Sequence, residues 1–243
     1  MKAVILAAGI ASRLRPLTNN CPKCLLKIGE RSLLQRSMDG LIKNGIKEFV
    51  VVTGYLHEQI EDFLKNQYQE VPITFIHNEL YASTNNIYSL WLARPEAEGK
   101  DILLLDSDIV YDPEMVGRLL RSEHEDVLAL NRHPLGEEEM KVVPDGEGRV
   151  REISKTCRIE DAIGESIGIE KMSAAYTKAL YRELQPMMEK EGLENVFYEK
   201  AFERLIPQGH TFWIEDTSDL FSTELDTVED FNTAKELIPA ELY

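Results

Sequence analysis

Three short apolar runs limit the fold of this chain more than any other feature: Lys2 to Leu6 (KAVIL), Phe49 to Thr53 (FVVVT) and Ile102 to Leu105 (ILLL). Each is bounded by Gly or polar residues, and none alternates apolar with polar positions. Runs of this length and texture suit strands buried on both faces. Ile73 to Ile76 adds a further strand. The segments between them carry helical spacing. Ser32 can cap a helix whose apolar face is Leu33, Leu34, Met38 and Leu41. Glu58 to Tyr68 is amphipathic, and Thr84 can cap a helix with Ile87, Leu90 and Trp91 on one side. Pro113 opens another helix at its first turn, where a missing N–H is harmless. Alternating strand and helix predicts an α/β fold with a mostly parallel sheet, helices on both faces and right-handed crossovers. In such sheets ligands sit beyond the carboxyl ends of the strands. The loop at Gly9 and the loop Asp106-Ser107-Asp108 both fall at that edge.

The texture changes near Val127. Shorter strands are expected at Val127–Asn131, Met140–Val143, Val150–Ser154 and Ser166–Ile169, with turns at Pro144-Asp145-Gly146 and Glu147-Gly148. Helices follow at Ala174–Glu191 and Tyr198–Leu205, then a strand at Thr211–Glu215 and a helix at Val228–Leu237. No repeat, low-complexity stretch or linker divides the chain. One domain over 1–243 is expected. Its first half, about 1–126, would carry the main ligand, and about 127–243 a smaller substructure for a second substrate.

Several function classes are disfavoured by composition. The formal net charge is -16, which argues against a nucleic-acid surface, since a phosphate backbone demands clustered Lys and Arg. A few local cations suffice for a small phosphate ligand. No apolar run approaches the 18 or so residues of a membrane span. The opening MKAVILAAG resembles a leader only briefly before it meets Arg13, Arg15 and Pro16, so a first strand and a cytoplasmic protein are expected. The 3 cysteines are too few for a disulfide framework. Cys21-Pro-Lys-Cys24 has redox or half-zinc spacing, yet no second ligand pair accompanies it.

The loop running from Leu6 to Lys23 carries the strongest chemistry. Leu6, Ala7, Ala8, Gly9, Ala11 and Ser12 are small or strand-end residues whose N–H groups can cradle phosphate oxygens. Arg13 and Lys23 add fixed cations, and Pro16 and Pro22 stiffen the chain between them. A dinucleotide fingerprint fits poorly, because Leu14 stands where a third glycine belongs and Pro16 interrupts the helix that should follow. An ordinary strand-to-helix turn is the plainer alternative.

LAAG-x-x-x-R-L-x-P-L-T-x-x-x-P-K resembles the signature of the sugar-phosphate nucleotidyltransferases. That resemblance implies a Rossmann-like sheet of the nucleotide-diphospho-sugar transferase type. It also implies Mg²⁺ as cofactor and an NTP and a small phosphorylated or phosphonylated acceptor as partners. By the same resemblance Arg13 and Lys23 bind the NTP phosphates. Ala11 departs from the family's second glycine. Asp106-Ser107-Asp108 ends a strand, where carboxylates suit a hard cation; the resemblance puts the main metal ligand at Asp108 and adds Asp106 to the nucleotide site. Glu224-Leu225-Asp226-Thr227-Val228-Glu229-Asp230 is similar to the family's E-I-D-T-x-E-D segment, which gives Asp226 as the second metal ligand. Glu224 shares its face by strand alternation, and Thr227 is expected to cap the last helix.

Residues 77–90 narrow the resemblance to the bacterial choline-phosphate and aminoethylphosphonate cytidylyltransferase branch. There Ser83, Asn85 and Asn86 are candidates for reading the base, because amides offer donors and acceptors. CTP is therefore the favoured NTP, and the product would feed cell-surface polysaccharide or lipid synthesis. On the acceptor side the candidates are Lys155, Glu165, Glu224 and the pair Tyr198-Glu199, whose ring and carboxylate would suit an ammonium. Ser222-Thr223 departs from the aromatic residues that the choline branch often carries there. Trp213 is a strand residue expected in the core. Glucose-1-phosphate or inositol-phosphate transfer, a glycosyltransferase with a D-x-D, and a non-catalytic nucleotide-binding module are the alternatives.

Overall fold

The computed structural model describes residues 1–242. The chain begins with β1 (Lys2–Ala7), a small hairpin of β2 (Lys27–Ile28) and β3 (Arg31–Ser32), and α1 (Leu33–Lys43). It continues through β4 (Phe49–Thr53), α2 (His57–Gln67), β5 (Ile73–His77), α3 (Asn86–Leu92) and the single turn α4 (Arg94–Ala97). Then come β6 (Ile102–Asp106), β7 (Ile109–Tyr111), α5 (Glu114–Arg121), β8 (Val127–Asn131), β9 (Lys141–Pro144) and β10 (Val150–Ser154). The rest comprises β11 (Gly164–Met172), α6 (Ala174–Glu189), α7 (Glu199–Leu205), β12 (Trp213–Asp216), β13 (Ser222–Glu224) and α8 (Val228–Leu237).

The expected α/β sheet is present. β1 lies parallel between β4 and β6, and β5 extends the parallel part beyond β4. These are the continuous apolar runs, and their buried residues divide between two cores. Val4, Val50 and Leu104 face α3, α6 and α7, whereas Ile5, Val51 and Leu103 face α1, α2 and α5. Alternating Cβ direction along each strand assigns neighbours to opposite cores. The register pairs Leu6 with Asp106 and Ala7 with Thr53, so the small-residue loop and the acidic loop leave the sheet side by side.

From β11 onward the sheet changes direction. β11 runs antiparallel to β6, to β8 and to β9, and β12 adds to β8 in parallel. The pairing slips between Ser166 and Glu170, where Gly168 has φ 71°. A Cβ there would stand 2.6 Å from Asp106 Oδ2, so only glycine admits the acidic loop this closely.

A third core holds the loop down. Leu14, Leu26, Ile28 and Leu33 pack with Val110, Leu225 and Phe231. Beside it β13 pairs antiparallel with β7, setting Glu224 opposite Ile109, and Leu225 N–H donates to Asp108 C=O at 3.2 Å. Thr227 caps α8 in a reciprocal capping box with Asp230.

Several helix boundaries shift by one or two residues from the sequence reading, and at two helices the starting residue takes a different role. Asn85, not Thr84, caps α3, because the Thr84 hydroxyl donates to Leu80 C=O instead. Pro113 sits at the cap position of α5 rather than inside its first turn. No helix among the described residues is long and apolar enough to cross a membrane.

Candidate active site

A cavity of about 930 Å³ opens where β1 and β6 end. One wall is the loop: Ala7, Ala8, Gly9 and Ala11 line it, with Arg13 and Lys23. Ala11 has φ 50°, the left-handed region that glycine occupies without strain, which accounts for the glycine expected at this position. Ser12 begins the short turn Ser12–Leu14 and does not line the cavity.

Lys23 is the hinge of the charge arrangement. Its Nζ donates to Asp108 Oδ2 and to Asp226 Oδ1, each at 2.9 Å. Burial alone would lower its pKa, but the two carboxylates more than reverse that and hold it above the usual lysine range. The Arg13 guanidinium donates to the other oxygen of Asp226. Burial would raise Asp226, yet Lys23 and Arg13 hold it below the usual carboxylate range. Glu224 joins Asp108 and Asp226, one oxygen of each lying within 4.8 Å of the others. Desolvation, followed by the like charges of Asp108 and Asp226, pushes Glu224 up to about 8. Three converging carboxylates are the donor set of a hard divalent cation, so these residues fit one.

Asp106 lies deeper. Desolvation raises its pKa well above the usual range, and Asp108, Glu199 and Glu170 add to the shift. Its Oδ2 accepts from the Tyr198 hydroxyl at 3.0 Å. That bond corrects the sequence reading of Tyr198 as an acceptor contact. Its ring is fully buried in the core against Phe202, and its hydroxyl serves Asp106 rather than a ligand. On that side the cavity is lined by its neighbour Phe197, with the Lys155 ammonium 4.6 Å from its ring centre.

The far wall is acidic. Glu165 Oε2 meets His133 Nε2 at 2.8 Å, and Lys155 pairs with Glu138 at 3.6 Å. Glu199 is 6% exposed, and its Oε2 has no hydrogen-bond partner among the described residues. Burial pushes its pKa up to about 7, with Lys155 pulling the other way. Behind it Glu170 is fully buried. Its Oε1 accepts from the Ser166 hydroxyl at 3.3 Å, and its Oε2 has no hydrogen-bond partner among the described residues.

The segment 78–86 completes the loop-side wall. Asn78 is buried and donates to Thr84 Oγ1 and Ser89 Oγ at 3.2 and 3.1 Å, which fixes the turn. Asn85 and Asn86 line the cavity, whereas Ser83 does not, since its hydroxyl turns back to Leu80 C=O. Trp213 stacks on His124 at 3.9 Å, away from the cavity. His133, Phe197 and Glu170 were not singled out from the sequence. Phe197 stood beside a chosen pair, while His133 and Glu170 carry no local motif.

The sheet, the cation-bearing loop and the carboxylates at the ends of β6 and β13 thus meet in one cavity. The family model described as nucleotidyl transferase matches residues 2–130, and the chain belongs to that family. It is 38% identical to a choline-phosphate cytidylyltransferase of Streptococcus pneumoniae (strain ATCC BAA-255 / R6) over 107 residues, 44% of this chain and 45% of that relative. The aligned part thus spans less than half of that relative's length. A CTP:phosphoglutamine cytidylyltransferase of Campylobacter jejuni subsp. jejuni is 27% identical over 230 residues, 85% of this chain and 88% of the relative. The solved structure of a CTP:phosphocholine cytidylyltransferase from Streptococcus pneumoniae superposes with a TM-score of 0.81 at 23% identity, over 98% of this chain and 99% of that one. That likeness concerns the fold.

Proposed function

We propose that this chain is a Mg²⁺-dependent cytidylyltransferase that moves CMP from CTP to a small phosphorylated or phosphonylated acceptor and releases pyrophosphate. The observation that carries this reading is Lys23. It joins Asp108 to Asp226 from a loop whose small residues and Arg13 face the same cavity. The first half of the single domain would hold the nucleotide, and the second half the acceptor.

An acceptor oxygen attacks the α-phosphorus of CTP in line. One P–O bond forms to the acceptor, the bond to the β-phosphate breaks, and its electron pair leaves with pyrophosphate. The acceptor is already anionic, so no general base is required, and the work is positioning and charge stabilisation. Arg13, Lys23 and the loop amides hold the departing phosphates. Asp108 and Asp226, with Glu224 beside them, are the residues that would hold Mg²⁺. When bound, that ion supplies positive charge against the phosphate oxygens. Lys155, Glu165 and Glu199 form the acceptor wall, with Phe197 in the place the sequence suggested for Tyr198.

A pyrophosphate-release screen tests the reading. It crosses CTP, UTP, ATP and GTP with phosphocholine, 2-aminoethylphosphonate, inositol phosphate and hexose phosphates, with and without Mg²⁺. The expected result is metal-dependent release with CTP and a phosphocholine-like acceptor, nearly abolished in Asp108→Asn. No release under any combination, or wild-type release by Asp108→Asn at saturating CTP and Mg²⁺, would overturn it.

A further inference from the structure

Lys141 opens β9 and is 1% exposed, and it does not line the cavity. An ammonium taken out of water needs its three N–H groups paired. No carboxylate supplies them, since no ion pair involves Lys141 among the described residues. Instead its Nζ donates to three main-chain carbonyls: Lys155 C=O at 2.7 Å, Glu137 C=O at 3.3 Å and Glu139 C=O at 3.4 Å. In the sheet Lys141 stands opposite Ser154 of β10 on one side and Glu165 of β11 on the other. The strands behind the acceptor wall therefore meet at this residue.

One of the three carbonyls belongs to Lys155 itself. The other two flank Glu138, which pairs with the Lys155 ammonium at 3.6 Å. That pair does not hold itself in place. Glu138 is 84% exposed, and an ion pair so open to water contributes little and is screened by salt. Phe197, beneath the Lys155 ammonium, is exposed as well. The placement of Lys155 thus comes from its backbone, just past the end of β10, and the buried ammonium ties that backbone to the segment 137–139.

We infer that Lys141 is a positioning residue for acceptor binding: without touching a ligand, it fixes the backbone from which Lys155 and Glu138 face the acceptor. This rests on the reading above that Lys155 belongs to the acceptor wall. A neutral side chain at 141 leaves three carbonyls without their shared donor, so residue 155 and the segment 137–139 are no longer held together. The nucleotide side does not depend on this contact. Arg13 and Lys23 are held by Asp226 and Asp108, and their loop is anchored by a separate core.

Steady-state pyrophosphate release is measured for the wild type, Lys141→Met, Lys155→Ala and the double variant, varying in turn the NTP and the acceptor that the wild type uses best. Methionine nearly matches lysine in length but brings no charge and no donor. The acceptor KM of Lys141→Met should rise on the order of tenfold, as for loss of one hydrogen bond to a charged group. The KM for the NTP should stay within about twofold of wild type, as expected of a distant, independent site. In the Lys155→Ala background the same substitution should change the acceptor KM by less than about twofold, because a residue that acts through another is not additive with it. Lys141→Gln keeps two donors and should show the same pattern at smaller amplitude. It carries the comparison if urea denaturation shows that Lys141→Met does not fold. A merely structural role would lower stability and move both KM values or neither.

Equal rises in both KM values, an unchanged acceptor KM in either single variant, or full additivity with Lys155→Ala would overturn the inference and leave the cytidylyltransferase reading standing. Preference for an NTP other than CTP would refute that reading and not the inference, since the same comparison runs with whichever NTP is used. No release by the wild type with any NTP would refute both.

Discussion

Asp226 sits between Lys23 and Arg13, whereas Glu199, on the α7 side of the same cavity, and Glu170, buried behind it, each keep a carboxylate oxygen with no partner among the described residues. The chemistry of the side chains is the same and the outcome is opposite. Burial raises the pKa in all three, and at Asp226 two cations more than cancel it. At Glu199 a single, more distant lysine does not, and at Glu170 the nearby charge is another carboxylate. In the loop cluster Lys23 and Asp226 each hold their charge more firmly than a free lysine and aspartate would. The α7 cluster instead holds acids that favour the neutral form. Phosphate chemistry needs the first kind of device, because preorganised charge costs no rearrangement during reaction.

Breaking the loop cluster should have the largest effect. Lys23→Ala removes the ammonium shared by Asp108 and Asp226 and is expected to lower kcat by about 10²–10³-fold, or about 2.7–4 kcal/mol. Replacing both Cys21 and Cys24 by Ser should cost activity far less. Steady-state pyrophosphate release compares the two, and the reverse ranking would point to cysteine chemistry.

The α7 cluster is tested through pH. Glu199 has its folded pKa raised from 4.5 to about 7. An acid raised in this way costs the fold nothing below its unfolded pKa. The cost grows as pH rises from 4.5 and is complete above about 7, amounting to about 3 kcal/mol at most. Glu199→Gln carries no charge to bury. Its stability relative to wild type should therefore climb through that window and then level off. Urea denaturation across pH measures this, and a difference flat in pH would show that Glu199 is not the buried acid described here. Asp106 and Glu170 face the same group with the same sign, and Lys155 with the opposite one, so single-site slopes will be broadened.

Gly168 joins the two clusters, because its bare Cα lets Asp106 approach. Gly168→Ala forces a side chain into the left-handed region, costing about 1–2 kcal/mol, and drives a methyl into the Asp106 carboxylate as well. A fall of at least that size in unfolding free energy is expected, with loss of turnover. Unchanged stability would mean that β11 relaxes without disturbing Asp106. Ser83→Ala should have the smallest effect. Its hydroxyl bonds to Leu80 C=O outside the cavity, so stability should stay within about 0.5 kcal/mol and the CTP-to-UTP ratio should not move.

Much of this was legible from short-range pattern. The continuous apolar runs became β1, β4 and β6, and the helix expected at Val228–Leu237 has those bounds, with Thr227 as its cap. Arg13, Lys23, Asp108 and Asp226 stand together as their motifs suggested. Tyr198 was misread because helix-entry residues look alike whether they point to solvent or to the core. Only packing against Phe202 and the bond to Asp106 separates the two. Thr84 and Asn85 are both good cap residues, and the choice between them fell to the Leu80 carbonyl that captured the threonine hydroxyl.

The sequence by itself determined which segments form the parallel strands of the main sheet, which loops leave that sheet at its carboxyl edge, and which residues could carry phosphate chemistry. Each of these depends on periodicity or on neighbours a few positions apart. Tertiary structure alone decided that β13 pairs with β7, bringing Glu224 and Asp226 to Asp108. It also decided that Gly168 admits Asp106, and that Tyr198 N–H fixes the amide of Asn86. Those outcomes join residues far apart in the chain. They follow from which apolar surfaces bury one another and which polar groups are then left to pair, and no local window of sequence contains both partners.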